Sequence, residues 1–170
     1  MMANTMITRV EGQVLVLERV FNAPRELVFK VFSDGEHLKQ WWGPRGWEVT
    51  VSSMDFRPGG SWHYCMKCMD KNQGDFFGME SWGKSVYEEI EEPGKIVYID
   101  YFSDAEGQVA EGMPATTVTM TLEEMDGKTK LVSRGVYESP EALKTVLEMG
   151  MEEGITQTWD RLEEYLAAKQ

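Results

Sequence analysis

The stretch "SPEALKTVLEMGMEEGITQTWDRLEEYLAAK", residues 139–169, decides the fold. Ser139 and Pro140 are residues of a helix start, one suited to cap it and the other to its first turn. Leu143, Val146, Leu147, Met151, Ile155, Trp159, Leu162 and Leu166 then recur three or four apart, which places them on one helical face. Glu148, Glu152, Glu153, Glu163 and Glu164 line much of the remainder. The pattern predicts one long helix over 140–168, roughly 40 Å from end to end at about 1.5 Å per residue. A single apolar stripe of that length has to be buried on another element.

The preceding chain supplies a sheet. "QVLVLERVF" (13–21) is rich in β-branched and apolar residues and reads as a strand. "NAPRELVFKVFSD" has Asn22 as a cap, Pro24 in a first turn and Leu27, Val28 and Val31 at helical spacing; "GEHLKQWW" predicts a second short helix, stopped by Gly43 and Pro44. Strands follow at "WEVTVSSMDF", "SWHYCMKCM", "FFGMESWGKSVYEEIEE" and "IVYIDYF", and at "TTVTMTLEE" and "TKLVSRGVY" around the turn "MDGK". Gly78 and Gly83 mark bulges or a bend in the long fourth strand. Consecutive strands with short turns argue for an antiparallel sheet. The expected class is α+β: about six to seven antiparallel strands curved around a long C-terminal helix, with two short helices after the first strand closing one end.

Between helix and sheet the sequence leaves either a core or a space. Gly150 and Gly154 interrupt the predicted helix at a cost of about 1 kcal/mol each relative to alanine. The omission of their side chains leaves room, or serves close packing or a slight bend. Alternation puts Trp62, Tyr64 and Met66 on the inward face of their strand, and His63, Cys65 and Lys67 on the other. Met79, Tyr101, Val118 and Met120 fall on elements that should face Met151, Ile155 and Trp159. The chain carries 12 methionines, whose flexible, polarizable side chains adapt to irregular contents. This wall, apolar and aromatic with a few hydroxyls, is the make-up of a small-molecule pocket; it is equally that of a plain core.

Composition limits the partners. The formal net charge of −12 repels phosphate backbones and anionic lipid, so neither nucleic acid nor membrane insertion is expected. "MMANTMITRVEGQ" has no apolar run of the signal-peptide kind, and a cytoplasmic protein is expected, with residues 1–12 a flexible leader. Cys65 and Cys68 form a C-x-x-C, but in a segment that alternates like a strand. The redox version needs a helix N-terminus and a zinc site needs further ligands, so they read as ordinary strand cysteines, with no metal and no cofactor expected.

"WWGPRGWEV", "FRPGGSWHYCM", "GKSVYEEIEEPGKIVYIDYFSD" and "GMEEGITQTWDRLEEYL" occur in this order and spacing. Together they resemble the bacterial single-domain homologues of the activator of the ninety-kilodalton heat-shock protein ATPase, a branch of the START-like, or birch-pollen-allergen-like, superfamily. The resemblance implies a helix-grip fold over a single domain, residues 13–168, with a cavity between helix and sheet, and it sets the "WWGP" segment beside the cavity entrance, with Trp42 as a wall residue. Trp41 or Trp47 would pack on the sheet edge. Members of the superfamily bind lipids, sterols, polyketides and other hydrophobic ligands, and some branches are cyclases or hydrolases. The eukaryotic activator owes much of its chaperone contact to a further N-terminal domain, which nothing in this sequence matches.

No nucleophile elbow, P-loop, dinucleotide fingerprint or zinc-protease motif is present. His37 is expected in solvent and His63 facing away from the cavity. Asp100 stands out as a carboxylate in an apolar strand. Alternation pairs it with Tyr98 and Phe102, opposite Ile99 and Tyr101, and the expectation is a hydrogen-bonded or surface position. The residues therefore favour non-catalytic binding of a hydrophobic or aromatic small molecule, with the wall Trp42, Trp62, Tyr64, Met66, Met79, Tyr101, Val118, Met120, Met151, Ile155 and Trp159. The alternatives are an enzyme of the polyketide cyclase or hydrolase type, and a chaperone-linked interaction module.

Overall fold

A computed structural model describes residues 5–170. The elements run β1 (Ile7–Glu11), β2 (Val14–Phe21), α1 (Arg25–Phe32), α2 (Gly35–Trp41), β3 (Trp47–Met54), β4 (Ser61–Cys68), a 3-10 turn (Lys71–Phe76), β5 (Glu80–Glu91), β6 (Lys95–Phe102), β7 (Thr116–Met125), β8 (Lys128–Val136), α3 (Pro140–Glu148) and α4 (Met151–Ala168). All eight strands form one open antiparallel sheet in the order β1-β2-β8-β7-β6-β5-β4-β3.

The sheet has eight strands where six to seven were expected. The extra strand is β1, which falls in the segment read as a leader; residues 1–4 of that leader lie outside the described residues. Gly12, at a φ of 65°, turns the chain so that Ile7–Glu11 pair with Val14–Glu18. Much of β1 is exposed, so it lacks the apolar alternation by which a half-buried strand is recognised.

The long helix is two helices. Ser139 caps α3, its Oγ accepting the N–H of Ala142 at 3.0 Å. α3 then stops at Glu148, because Gly150 adopts a left-handed φ of 87°. A side chain disfavours that conformation and glycine does not. The apolar stripe continues through the break because Leu143 and the α4 residues Trp159, Leu162 and Leu166 all join one core. At α1 the capping position falls to Pro24, with no side-chain cap, and not to Asn22; at α2, Asp34 accepts the N–H of Glu36 at 2.9 Å.

α4 is tied down by charge at two places. Arg19 breaks the inward apolar alternation of β2 and is 3% exposed, yet its guanidinium donates to Asp160 and Glu163 of α4, both at 2.8 Å. A buried cation is tolerable only with such partners. Arg161 reaches the chain between α2 and β3, where its Nη1 donates to the carbonyls of Trp42, Gly43, Pro44 and Trp47 at 2.8 to 3.4 Å. The glycines and proline leave these carbonyls without helical partners, and one guanidinium gathers them.

The three tryptophans of "WWGPRGW" thereby separate. Trp41 is fully buried, edge-on to Phe32 at 4.9 Å, and its indole N–H donates to the Val31 carbonyl; it is core, not an edge residue. Trp47 is half-buried on β3, the sheet edge, and donates to Gln73 at 3.2 Å. Trp42 turns toward the space under α4.

Candidate functional site

A cavity of about 380 Å³ lies between the sheet and α3–α4. Its floor is one face of the sheet, and the register assembles it: Tyr64 sits opposite Gly83, Ser85 opposite Asp100, Tyr98 opposite Val118, Val118 opposite Gly135, and Met120 opposite Ser133. Leu15 and Leu17 extend the floor onto β2, and Val146, Met151, Gly154, Ile155, Thr158 and Trp159 form the roof. Phe102 lines the space and is 46% exposed, so the cavity reaches solvent beside it.

Of the expected wall residues, Trp42, Tyr64, Met66, Tyr101, Val118, Met120, Met151, Ile155 and Trp159 line the cavity. Tyr101 does so although alternation sets it on the other face from Tyr98 and Asp100. Trp62 does not line it. Its ring stacks behind Tyr64 at 4.1 Å, and its indole N–H donates to Ser52 at 2.9 Å, so it backs the wall residue instead of being one. Met79 also lies off the cavity and is 49% exposed. It has the inward parity of β5, but it precedes the strand and lies two residues beyond Ser81, outside the stretch that α4 covers.

The two interrupting glycines have different roles. Gly154 lines the cavity, and a Cβ there would meet nothing within 4 Å, so its missing side chain is space. Gly150 breaks the helix. Gly83, expected at a bulge or bend, has a third role: a Cβ on it would lie 2.5 Å from the Tyr64 hydroxyl oxygen. Its absence lets the Tyr64 ring lie across the β5 backbone toward Asp100.

Asp100 is hydrogen-bonded, one of the two positions expected of it, and is not a surface residue. It faces the cavity and is the one charged side chain among its described lining residues. The hydroxyls of Tyr64 and Ser85 each donate to Oδ1 at 3.4 Å. Surface area rates Asp100 half-buried, but the area it keeps belongs to the cavity, and protein surrounds it on all sides. That desolvation raises its pKa from 3.8 to about 6, against the lowering effect of the two hydroxyls. Burial also pushes the phenols of Tyr64, Tyr98 and Tyr137 up, and the nearby Asp100 charge adds to the rise in each. They remain neutral donors throughout the physiological range.

Elsewhere, His63 faces outward as expected, with Nε2 2.9 Å from the Asp104 carbonyl and its ring stacked on Trp82. His37 is not simply solvated: Nδ1 lies 2.6 Å from the Tyr165 hydroxyl. Cys65 and Cys68 are buried, and burial raises the Cys65 thiol pKa, the opposite of what a reactive cysteine needs. Among the described residues no helix is long and apolar enough to cross a membrane.

Comparison with known proteins places this arrangement. The model of the family described as "Activator of Hsp90 ATPase homolog 1-like protein" matches residues 22–167. The chain belongs to this family. Similar solved structures include a crystal structure of a protein from Mycobacterium smegmatis, 28% identical over 95% of this chain and 96% of that one, with a TM-score of 0.81. Solution structures from Arthrobacter aurescens (27%, 96% and 91%, 0.83) and Staphylococcus epidermidis (28%, 97% and 96%, 0.81) are as similar. No curated protein matches the chain. The family membership agrees with the resemblance read from "WWGP" and the C-terminal stretch.

Proposed function

We propose that the protein binds a hydrophobic, largely aromatic small molecule in the cavity between α4 and the sheet. The observation that carries this reading is the cavity itself. A densely packed domain of this size has few voids larger than a water molecule, whereas here about 380 Å³ stays unfilled. Its walls are mostly apolar, with convergent hydroxyls and one carboxylate, as ligand sites are built. Native mass spectra of the protein purified from cells without delipidation, beside the denatured sample, test it. A retained mass lost on denaturation is the expected result; a bare apo mass, together with no uptake of aromatic probes, overturns it.

The position of Asp100 favours a second reading, an enzyme in which this carboxylate gives or takes a proton. Its pKa of about 6 suits acid–base work near neutrality. The same spectra separate the two. The same mass or none retained in Asp100→Asn supports binding alone, and a retained mass that differs from the wild-type one by a chemical conversion, unprocessed substrate in place of product, supports turnover. The family's name raises a chaperone-linked role as a third reading, which a pull-down with the chaperone tests.

A further inference from the structure

The cavity is polar in one place and of one sign. Among the described residues Asp100 is its only charged lining residue, and no lysine, arginine or histidine lines it. The neighbouring cation that touches this wall segment, Arg161, is committed to the carbonyls of residues 42–47. The carboxylate receives two neutral hydroxyls, both on Oδ1 and both at a long 3.4 Å. Oδ2 has no partner among the described residues. A buried carboxylate without a cation is costly, and structures rarely keep one unless it neutralises or pairs. Near it stand the rings of Tyr64, Tyr98 and Tyr137, and Trp159 lines the roof of the same cavity; the faces of such rings attract cations.

From this we infer that the ligand carries a protonated amine, which enters first and pairs with Asp100 while an apolar, aromatic body fills the space under α4. The inference rests on the cavity being a ligand site. It excludes carboxylate and phosphate ligands, which the Asp100 charge and the net charge of −12 would both oppose. An alcohol reaches the same oxygens but leaves the charge uncompensated, so it binds more weakly.

Three probes of one skeleton test the inference by titration calorimetry: naphthylethylamine, naphthylethanol and naphthylacetate. At pH 7.5 the amine should bind at least tenfold more tightly than the alcohol, and the carboxylate least. In Asp100→Asn, which keeps the side chain's shape, the ratio of amine to alcohol should fall close to one. In Met79→Ala, off the cavity, it should stay as in wild type.

The wild type supplies the same test without substitution. The groups beside Asp100 are Tyr64 from β4, Ser85 from β5, Tyr98 from β6 and Tyr137 after β8, and α4 brings only Met151, Gly154, Ile155, Thr158 and Trp159 to the same cavity. None of them titrates between pH 5 and 8, so a fall in amine affinity below about pH 6, with alcohol affinity level, reports Asp100 taking a proton. Equal binding of amine and alcohol, tightest binding of naphthylacetate, or an amine preference that survives Asp100→Asn each overturns the inference and leaves the cavity reading standing. No binding of any probe to wild type or variant overturns both.

Discussion

The same sheet face is packed solid at one end and hollow at the other. At the packed end, Phe21, Phe29, Phe32, Trp41, Leu122 and Leu131 fill the space under α1 and α2, and Phe56 lies edge-on to both Phe29 and Tyr87 at 5.8 and 4.9 Å. At the hollow end, Thr116, Ser133 and Gly135 line the cavity from the sheet and Gly154 lines it from α4. Sheet and helix continue from one end to the other. The contrast is one of side-chain volume: where large residues face large residues the layers interdigitate, and where small residues face Gly154 they cannot. A cavity of this kind depends on a few small residues held on a frame that the packed end makes rigid.

Removing volume at the packed end should destabilise, and adding volume should stabilise only where it meets open space. Trp41→Ala removes a fully buried ring from the packed end and should cost about 3–5 kcal/mol in chemical denaturation; a loss below about 1 kcal/mol would mean that this end is loose as well. The next effect belongs to Asp100. Its folded-state pKa of about 6 lies above the ordinary 3.8, so the folded protein holds a proton that the unfolded chain releases. The associated stability is fully present below about pH 4 and is lost as pH rises through about 6, a change on the order of 2–3 kcal/mol. The difference between wild type and Asp100→Asn, followed by denaturation from pH 4 to 7.5, should show that slope; a flat difference would place the carboxylate in contact with water.

Gly83→Ala forces a methyl against the Tyr64 hydroxyl and should cost about 1–3 kcal/mol, the range of an overpacked core. It should also raise the apparent pKa of Asp100, since it displaces a hydroxyl whose hydrogen bond holds that pKa down. Gly154→Ala should do the reverse and stabilise, by up to about 1 kcal/mol, because alanine is the better helix former and its methyl meets open space. Thermal unfolding measures it, and destabilisation would show that the roof is tighter than the geometry indicates. A larger Gly154→Phe should occupy the cavity and abolish probe uptake while leaving the packed end intact.

Much of the element order was legible in the sequence because each element depends on local pattern. Trp62, Tyr64 and Met66 share a face by simple alternation, and the α4 stripe is spaced by the helical period. What escaped was non-local or weakly patterned. β1 is too exposed to alternate. Gly150 reads the same as Gly154 in sequence, yet one breaks the helix and the other stays within it, because the left-handed turn is set by how α3 and α4 both reach the sheet. Met79 has the right parity at the wrong distance along its strand.

The sequence by itself determined that an antiparallel sheet would carry an amphipathic C-terminal segment, and which residues of most strands would face it. Periodicity is a property of neighbouring residues, so it survives without coordinates. Only the tertiary structure decided that the space between the layers is open, that Trp62 stands behind Tyr64, and that Asp100 faces inward. Those depend on register across β4, β5 and β6 and on the volumes that meet there. Burial and charge compensation belong to residues brought together from distant parts of the chain, and no local window contains them.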